Sequence, residues 1–205
     1  MSRTYFEVTH DFPETGRWYL NGLFDRSKRK IDSRIFRYGL PIEAGPPLRL
    51  PSQADGSMAE VDGPLAFSIR RNGEPLDFTL ADFDVPVATK RISELLSAIA
   101  NKDIQKFPVW VESRTEPYEI INVRSRVACI DRQRSKIEWW REVDRRPDKL
   151  GKPRTITKLV IDATLVGEQH LFRPEGWEVV LIVSDMVKGV LEDAGVSGLK
   201  FRLVS

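Results

Sequence analysis

The sequence has one cysteine, two histidines and no long apolar run. Each of these shortages excludes or disfavours particular classes of protein. A single cysteine, Cys129, cannot form an internal disulfide, which is typical of proteins in reducing compartments. The longest clear apolar run, Val179 to Val183, has the length of a strand and not of a membrane span. The opening MSRTYFEVTHDF lacks the apolar stretch of a signal peptide. We therefore expect a cytoplasmic protein with no membrane partner.

Residues suited to catalysis are equally scarce. A nucleophile–histidine arrangement would have to use His10 or His170, and the GEQHLFRPEG context of His170 indicates a turn between two strands. Cys129 is flanked by strand formers, which is typical of a buried, inert thiol. The sequence has no phosphate-binding glycine loop and no zinc or EF-hand spacing. We predict no catalytic, cofactor-binding or metal-binding residue, although the abundant Asp and Glu leave a carboxylate pair open.

The first part of the chain has the character of strands and loops. RWYLNGL is rich in β-formers, and the proline-rich stretch after residue 40 contains no helix-length periodicity. Residues 51–63 are predicted to form a mobile surface loop. AFSIRRNGEPLDF then predicts a strand, a turn at Asn72-Gly73 and a return strand.

The second part contains two helix–turn–strand units. Ile92, Leu95, Leu96 and Ile99 recur at i, i+3, i+4 and i+7, which predicts one face of a helix. Asn101 is the predicted left-handed stop, and a strand containing FPVWV follows.

The C-terminal unit repeats this order in LIVSDMVKGVLEDAGVSGLKFRLVS. Ser184 is a good N-cap, Gly195 sits where a helix needs a left-handed residue, and Leu199, Phe201 and Leu203 alternate with charges as in a half-buried strand. YEIINVRSRVACI, TKLVIDATLV and WEVVLIV predict further strands.

These units predict an α+β fold with a mixed, mainly antiparallel sheet, preceded by a strand-and-loop N-terminal part. We divide the chain into residues 1–83, the strand- and loop-rich part, and residues 84–205, the α+β core domain.

Charge is concentrated in residues 124–158, RSRVACIDRQRSKIEWWREVDRRPDKLGKPRTITK. This stretch holds twelve Lys or Arg and five Asp or Glu, a balance of +7, whereas the whole chain carries +2. Trp139 and Trp140 lie within it, and adjacent residues on a strand point to opposite faces. At most one ring is therefore expected to enter the core.

Three interpretations of this stretch stay open. It could be a solvated hairpin with internal ion pairs such as Glu142 with Arg145 or Arg146. It could bind a protein, because exposed Trp beside Arg is enriched at interface hot spots. It could also grip a nucleic-acid backbone, although five acids within it weigh against phosphate binding. The partner-binding residues that we select are Trp139, Trp140, Arg141, Arg145 and Arg134.

The order of several motifs resembles a known family. FPV after the first helix, then YEIINV, ACIDRQRS and LFRPEGWEVVLIVSDMVKGVLEDAGVSGLKF, are similar to the polymorphic-toxin immunity protein family numbered eleven. WYLNG and GEPLDF fit the same pattern more loosely. The resemblance implies a non-catalytic protein that binds and neutralises a cognate toxin or effector in competition between bacteria. It also implies that a neighbouring gene encodes this toxin. A carboxylate-based enzyme and a nucleic-acid-binding module are the alternatives.

Overall fold

The computed structural model describes residues 3–11, 16–36, 42, 48–51 and 57–205. Its strands are β1 (Tyr5–His10), β2 (Tyr19–Phe24), β3 (Lys30–Ile31), β4 (Arg49–Pro51), β5 (Met58–Glu60), β6 (Leu65–Arg71), β7 (Phe78–Ala81), β8 (Val85–Thr89), β9 (Ile104–Val111), β10 (Tyr118–Val123), β11 (Arg126–Val127), β12 (Lys136–Trp139), β13 (Pro153–Lys158), β14 (Leu171–Pro174), β15 (Leu181–Ser184) and β16 (Leu199–Leu203). The helices are α1 (Lys90–Ala100) and α2 (Asp185–Asp193). Short 3₁₀ turns cover Ser33–Phe36, Glu142–Asp144, Pro147–Lys149 and Ala163–Leu165.

The strands form two large sheets. One has the order β3-β2-β6-β9-β10-β8-β7 and the other has the order β11-β14-β15-β1-β16. Most neighbours are antiparallel, while β6 with β9 and β11 with β14 are parallel. β4 pairs with β5, and β12 pairs with β13, as separate two-stranded sheets. The predicted α+β class with a mixed, mainly antiparallel sheet is therefore confirmed.

The seven-stranded sheet curls until its β7 edge meets β2. The backbone N–H of Asp82, directly after β7, donates to the carbonyl of Leu20 on β2 at 3.1 Å. The enclosed face buries large side chains, among them Trp18, Phe67 and Phe107. Burial of this apolar area is the main stabilising contribution of the first core.

The two helices pack against each other and against both sheets. Ile92 and Leu96 of α1 and Val187 and Leu191 of α2 are buried in one apolar cluster with residues of β1, β8, β10 and β15. The opposite face of the five-stranded sheet buries a third cluster that includes Cys129. Of the described helices, neither has the length and apolar character required to cross a membrane.

Most predicted elements of the helix–turn–strand units are observed. Ile92 and Leu96 are buried, while Leu95 and Ile99 are partly buried against the same cluster. Ser184 caps α2 by accepting from the N–H of Val187, and Gly195 has a φ of +62°.

Other local predictions were wrong. Asn101 is right-handed, with φ −58° and ψ −33°, and Leu203 is exposed on β16, an edge strand. The predicted strand over residues 157–166 ends at Lys158. Ile161 forms an isolated bridge with Ile130, and Asp162 then caps a 3₁₀ turn by accepting from the N–H of Thr164. The strand after the Asn72-Gly73 turn exists as β7, but it pairs with β8 and not with β6.

The loop predicted at residues 51–63 contains β5, and residues 52–56 of it lie outside the described part of the chain. Strands from both sides of the division at residues 83 and 84 share the large sheets: β1 pairs with β15 and β16, and β7 pairs with β8. The division of the chain into residues 1–83 and 84–205 stays a prediction about folding units.

Candidate functional site

The basic stretch forms a hairpin, residues 136–158, which we call the arm. Its strands β12 and β13 are antiparallel, with Ile137 opposite Ile156 and Glu138 opposite Thr155. The register shifts between Lys136 and Ile137 and again between Glu138 and Trp139. Every residue of the arm is exposed or half-buried. The arm is thus a two-stranded extension whose surface is available to a partner.

The connecting loop of the arm, residues 140–152, which we call the tip, is folded and not irregular. The N–H of Trp140 donates to the carbonyl of Lys152 at 3.0 Å, and the N–H of Gly151 donates back to Trp140 at 3.4 Å. The carboxylate of Asp144 accepts from the N–H of Arg141 at 2.8 Å and from the guanidinium of Arg154 at 2.9 Å. These bonds fix the loop from both strands.

Trp140 is the centre of the tip. The cationic groups of Arg146, Lys149 and Arg154 lie 6.0, 4.9 and 5.0 Å from its ring centre. A cation over an aromatic face is attracted by the ring quadrupole, by about 0.5–1 kcal/mol at exposed sites. Trp140 therefore organises the positive charge of the tip, and its ring is half-buried in doing so.

Trp139 contacts a different part of the molecule. Its ring lines a cleft of about 210 Å³ together with Ala128, Ile137 and Pro153. The guanidinium of Arg132 lies 5.4 Å from its ring centre. The expectation that the two rings point to opposite faces agrees with these separate contacts, and neither ring is fully buried.

Four of the five selected residues lie together in sequence at the tip end of β12, and one does not. Trp139, Trp140, Arg141 and Arg145 lie at or beside the tip, whereas Arg134 precedes β12 at the other end of the strand. Arg134 donates to Asp131 at 2.6 Å and to the carbonyl of Ile161 at 3.5 Å. These bonds indicate that Arg134 fastens the base of the arm to the body.

Ion pairs within the arm neutralise part of its positive charge. Arg146 pairs with Asp148 at 2.9 Å, and this guanidinium lowers the pKa of the Asp148 carboxyl. The pair replaces the expected contact of Arg146 with Glu142. Arg145 donates its backbone N–H to the carbonyl of Glu142 at 3.0 Å, and its guanidinium forms no ion pair with the residues that the structure describes. The solvated-hairpin interpretation therefore accounts for Arg146 and Arg154 but leaves the Arg145 side chain unexplained.

Sequence reasoning missed two apolar residues of the tip. Val143 is 73% exposed and Leu150 is 50% exposed. The available signal was the presence of aliphatic residues in a loop that is otherwise charged, since such loops are normally polar. Single exposed apolar residues are ordinary, but two on one short loop beside a tryptophan resemble the composition of an interface.

The side chains with chemistry suited to catalysis have structural roles. Nδ1 of His170 lies 2.9 Å from Oγ of Ser184, but Ser184 is fully buried and caps α2. Asp103 accepts from the backbone N–H of His170, at 2.8 Å. Cys129 is buried, and burial raises the pKa of its thiol to about 12, so the thiolate is scarce near neutral pH.

A cleft of about 500 Å³ in the N-terminal part is lined by two carboxylates, Asp32 and Asp82. Asp82 accepts from Asn21 at 2.5 Å and from Ser33 at 2.6 Å, and Asp32 pairs with a neighbouring arginine. The bonds of Asp82 hold the turn after β7. Within the ranges that the structure describes, no three His, Cys, Asp or Glu residues are placed to hold a metal ion.

Comparison with known proteins assigns the family. The model of the Immunity protein family (Imm11) matches residues 36–205, which include α1, α2 and the whole arm. A search of the curated proteins found no match. Because the family match spans most of the 205 residues, the chain belongs to the Immunity protein family (Imm11).

Proposed function

We propose that this protein is a non-catalytic immunity protein, which binds a cognate bacterial toxin and neutralises it. The toxin is the product of a neighbouring gene in a polymorphic toxin system, used in competition between bacteria. Binding takes place in the cytoplasm. The single observation that carries the proposal is membership of the immunity protein family over residues 36–205.

The arm is the proposed contact surface. It combines two half-buried tryptophans with arginines that project into solvent, and Trp and Arg are the residues most enriched among interface hot spots. An exposed hairpin that is tied down at its base can present these groups at little entropic cost, because its own hydrogen bonds already order it.

Co-expression with the toxin encoded beside this protein tests the proposal. We expect the protein to restore growth and to elute with the toxin as a complex in size exclusion. Continued killing, with no complex, would exclude the proposed function. A variant with Arg70→Glu and Arg71→Glu, two exposed residues of β6, is the control and should protect as well as the wild type.

A binding protein and an enzyme that modifies the toxin differ in stoichiometry. Neutralisation by binding requires about one molecule of immunity protein per toxin, and toxin released from the complex by denaturant should have unchanged mass and regain activity. A small fraction of immunity protein that inactivates all the toxin, with a changed toxin mass, would favour the carboxylate-based enzyme instead.

A further inference from the structure

Positive charge at the tip is only partly compensated. The tip contains Arg141, Arg145, Arg146, Lys149 and Lys152, against three acids. Two of those acids are already engaged: Asp144 by Arg154, and Asp148 by Arg146. The remaining acid, Glu142, is exposed. The tip therefore presents an excess of positive charge to any partner.

Two arginines contribute to this excess. Arg141 and Arg145 are both exposed, and within the described ranges neither guanidinium forms an ion pair. The bond of Arg141 with Asp144 is made by its backbone N–H and does not involve the guanidinium. Arg145 has a φ of +54°, a left-handed conformation that is unfavourable for a residue with a Cβ. Strained positions of this kind concentrate at functional sites.

Apolar surface accompanies the charge. Val143 lies between the two arginines in sequence, inside the 3₁₀ turn Glu142–Asp144, and it is the most exposed of the large apolar side chains in the described residues. Leu150 follows the 3₁₀ turn Pro147–Lys149 and is half exposed. A surface that only contacts phosphates has no use for aliphatic side chains, whereas a protein interface places them at its centre with charges at the rim.

We propose, on the basis of the proposed function, that the tip docks into an apolar cleft of the toxin whose rim carries carboxylates. Val143 and Leu150 enter the cleft, and Arg141 and Arg145 pair with the acidic rim. Charge complementarity identifies the partner as an acidic protein surface. Trp140 and Asp144 order the backbone of the tip, which therefore presents these four residues in a fixed arrangement before binding.

Affinity measurements on the purified toxin test this docking mode. We expect Arg141→Glu with Arg145→Glu to weaken binding about 30-fold or more, as for hot-spot residues. Val143→Ser with Leu150→Ser should weaken it about tenfold, through lost apolar burial. The control, Arg70→Glu with Arg71→Glu, makes the same change in net charge on β6 and should bind within about twofold of the wild type, below the effect of one hot-spot contact.

The variant Arg145→Gly distinguishes a role of the Arg145 side chain in toxin binding from a role in folding. Glycine adopts the left-handed conformation freely, so this variant should melt at the wild-type temperature or above it while binding the toxin less tightly. Raising the salt from about 50 to 200 mM should weaken the wild-type complex, and should weaken the complex of the Arg141/Arg145 double variant less.

The outcomes distinguish the two proposals. If the wild type binds the toxin but all the tip variants bind equally well, the docking mode is wrong and the immunity function stands. If the wild type neither binds nor protects, the function itself is wrong. A short DNA duplex serves as the second probe: duplex binding that is lost with Arg141 and Arg145, without any effect of these changes on toxin binding, would assign the tip to nucleic acid.

Discussion

Arg154 lies 5.0 Å from the ring centre of Trp140 and joins β13 to the tip. The same guanidinium donates to Asp144 at 2.9 Å and lies 3.5 Å from Glu138 on β12. One side chain thus connects both strands of the arm with its connecting loop. Because of its contact with Arg154, Trp140 orders the tip. Its role therefore differs from that of its neighbour Arg141, whose side chain is exposed.

Substitutions at these two positions are therefore expected to differ. Trp140→Ala removes the ring shared by three cations, so amide hydrogen exchange over residues 141–152 should increase and toxin binding should weaken. The melting temperature should fall by about 2–4 °C for each kcal/mol of global stability lost, and this loss should be small because the contacts are exposed and local. Arg141→Glu should weaken binding with no change in melting temperature or exchange.

Calorimetry and exchange mass spectrometry on both variants measure these quantities. Either substitution should reduce toxin binding more than it reduces thermal stability. Equal losses of binding and stability would mean that Trp140 and Arg141 are structural residues and that the partner contacts another surface.

Ser184→Ala tests the role assigned to the buried Ser184–His170 pair. The change removes the N-cap of α2 and the 2.9 Å contact with His170, so the free energy of unfolding should fall by about 2 kcal/mol. Protection against the toxin should persist, because the hydroxyl has no exposure to a substrate. Denaturant unfolding and the co-expression assay give the two readouts. A stable variant that no longer protects would instead indicate a nucleophile.

The helical units could be predicted because they are encoded locally. Periodic apolar residues place α1 and α2, and Ser184 and Gly195 act within one turn of the helix that they delimit. Asn101 does end α1 as its C-cap, but it is not left-handed, because tertiary bonds decide the backbone there. The N–H of Asp103 donates to Ala100, and its carboxylate accepts from the distant backbone of His170 and Leu171. The residues around Asn101 contain no pattern that predicts a contact between Asp103 and residues so distant in the sequence.

The candidate site was predictable in its composition but not in its geometry. The excess of Lys and Arg over Asp and Glu identifies the part of the sequence that contains the arm, and both tryptophans lie within it. The sequence does not show which arginines are left without an ion pair. The answer depends on ion pairs that form across the hairpin, such as that of Arg154 with Asp144, ten positions apart in the sequence. It also depends on two register shifts in the arm, and a shift by one residue moves a side chain to the opposite face.

The protonation of His10 predicts a pH dependence of stability. Burial is the main cause that lowers the pKa of His10, and the nearby Arg17 guanidinium, which donates to Nδ1 at 2.8 Å, acts in the same direction, so that the pKa is about 4. The unfolded chain takes up this proton near pH 6.5, whereas the folded chain takes it up only near pH 4. His10 therefore contributes stability above about pH 6.5 that is lost progressively as the pH falls to about 4.

Proton NMR can follow His10 directly, since the chain has only two histidines. The ring of His10 should stay neutral down to about pH 4. His10→Asn keeps an acceptor for Arg17 but does not titrate, so its unfolding free energy should fall less than that of the wild type over the same pH range. A His10 resonance that titrates near the ordinary value would contradict the assignment.

Gly198 and Gly195 make a matched pair for the last prediction. Both have positive φ, +99° and +62°, but a Cβ on Gly198 would meet the carbonyl oxygen of Phe78 at 2.2 Å, whereas one on Gly195 would meet nothing within 4 Å. Gly195→Ala should cost about 1 kcal/mol, the ordinary cost of a left-handed residue with a Cβ. Gly198→Ala should cost clearly more, because the clash is with backbone and β7 must move away from the turn before β16. Chemical denaturation of the two variants measures the difference. Equal costs would show that the turn at Gly198 can shift away from Phe78 freely, and that this contact does not fix the position of the five-stranded sheet against the curled one.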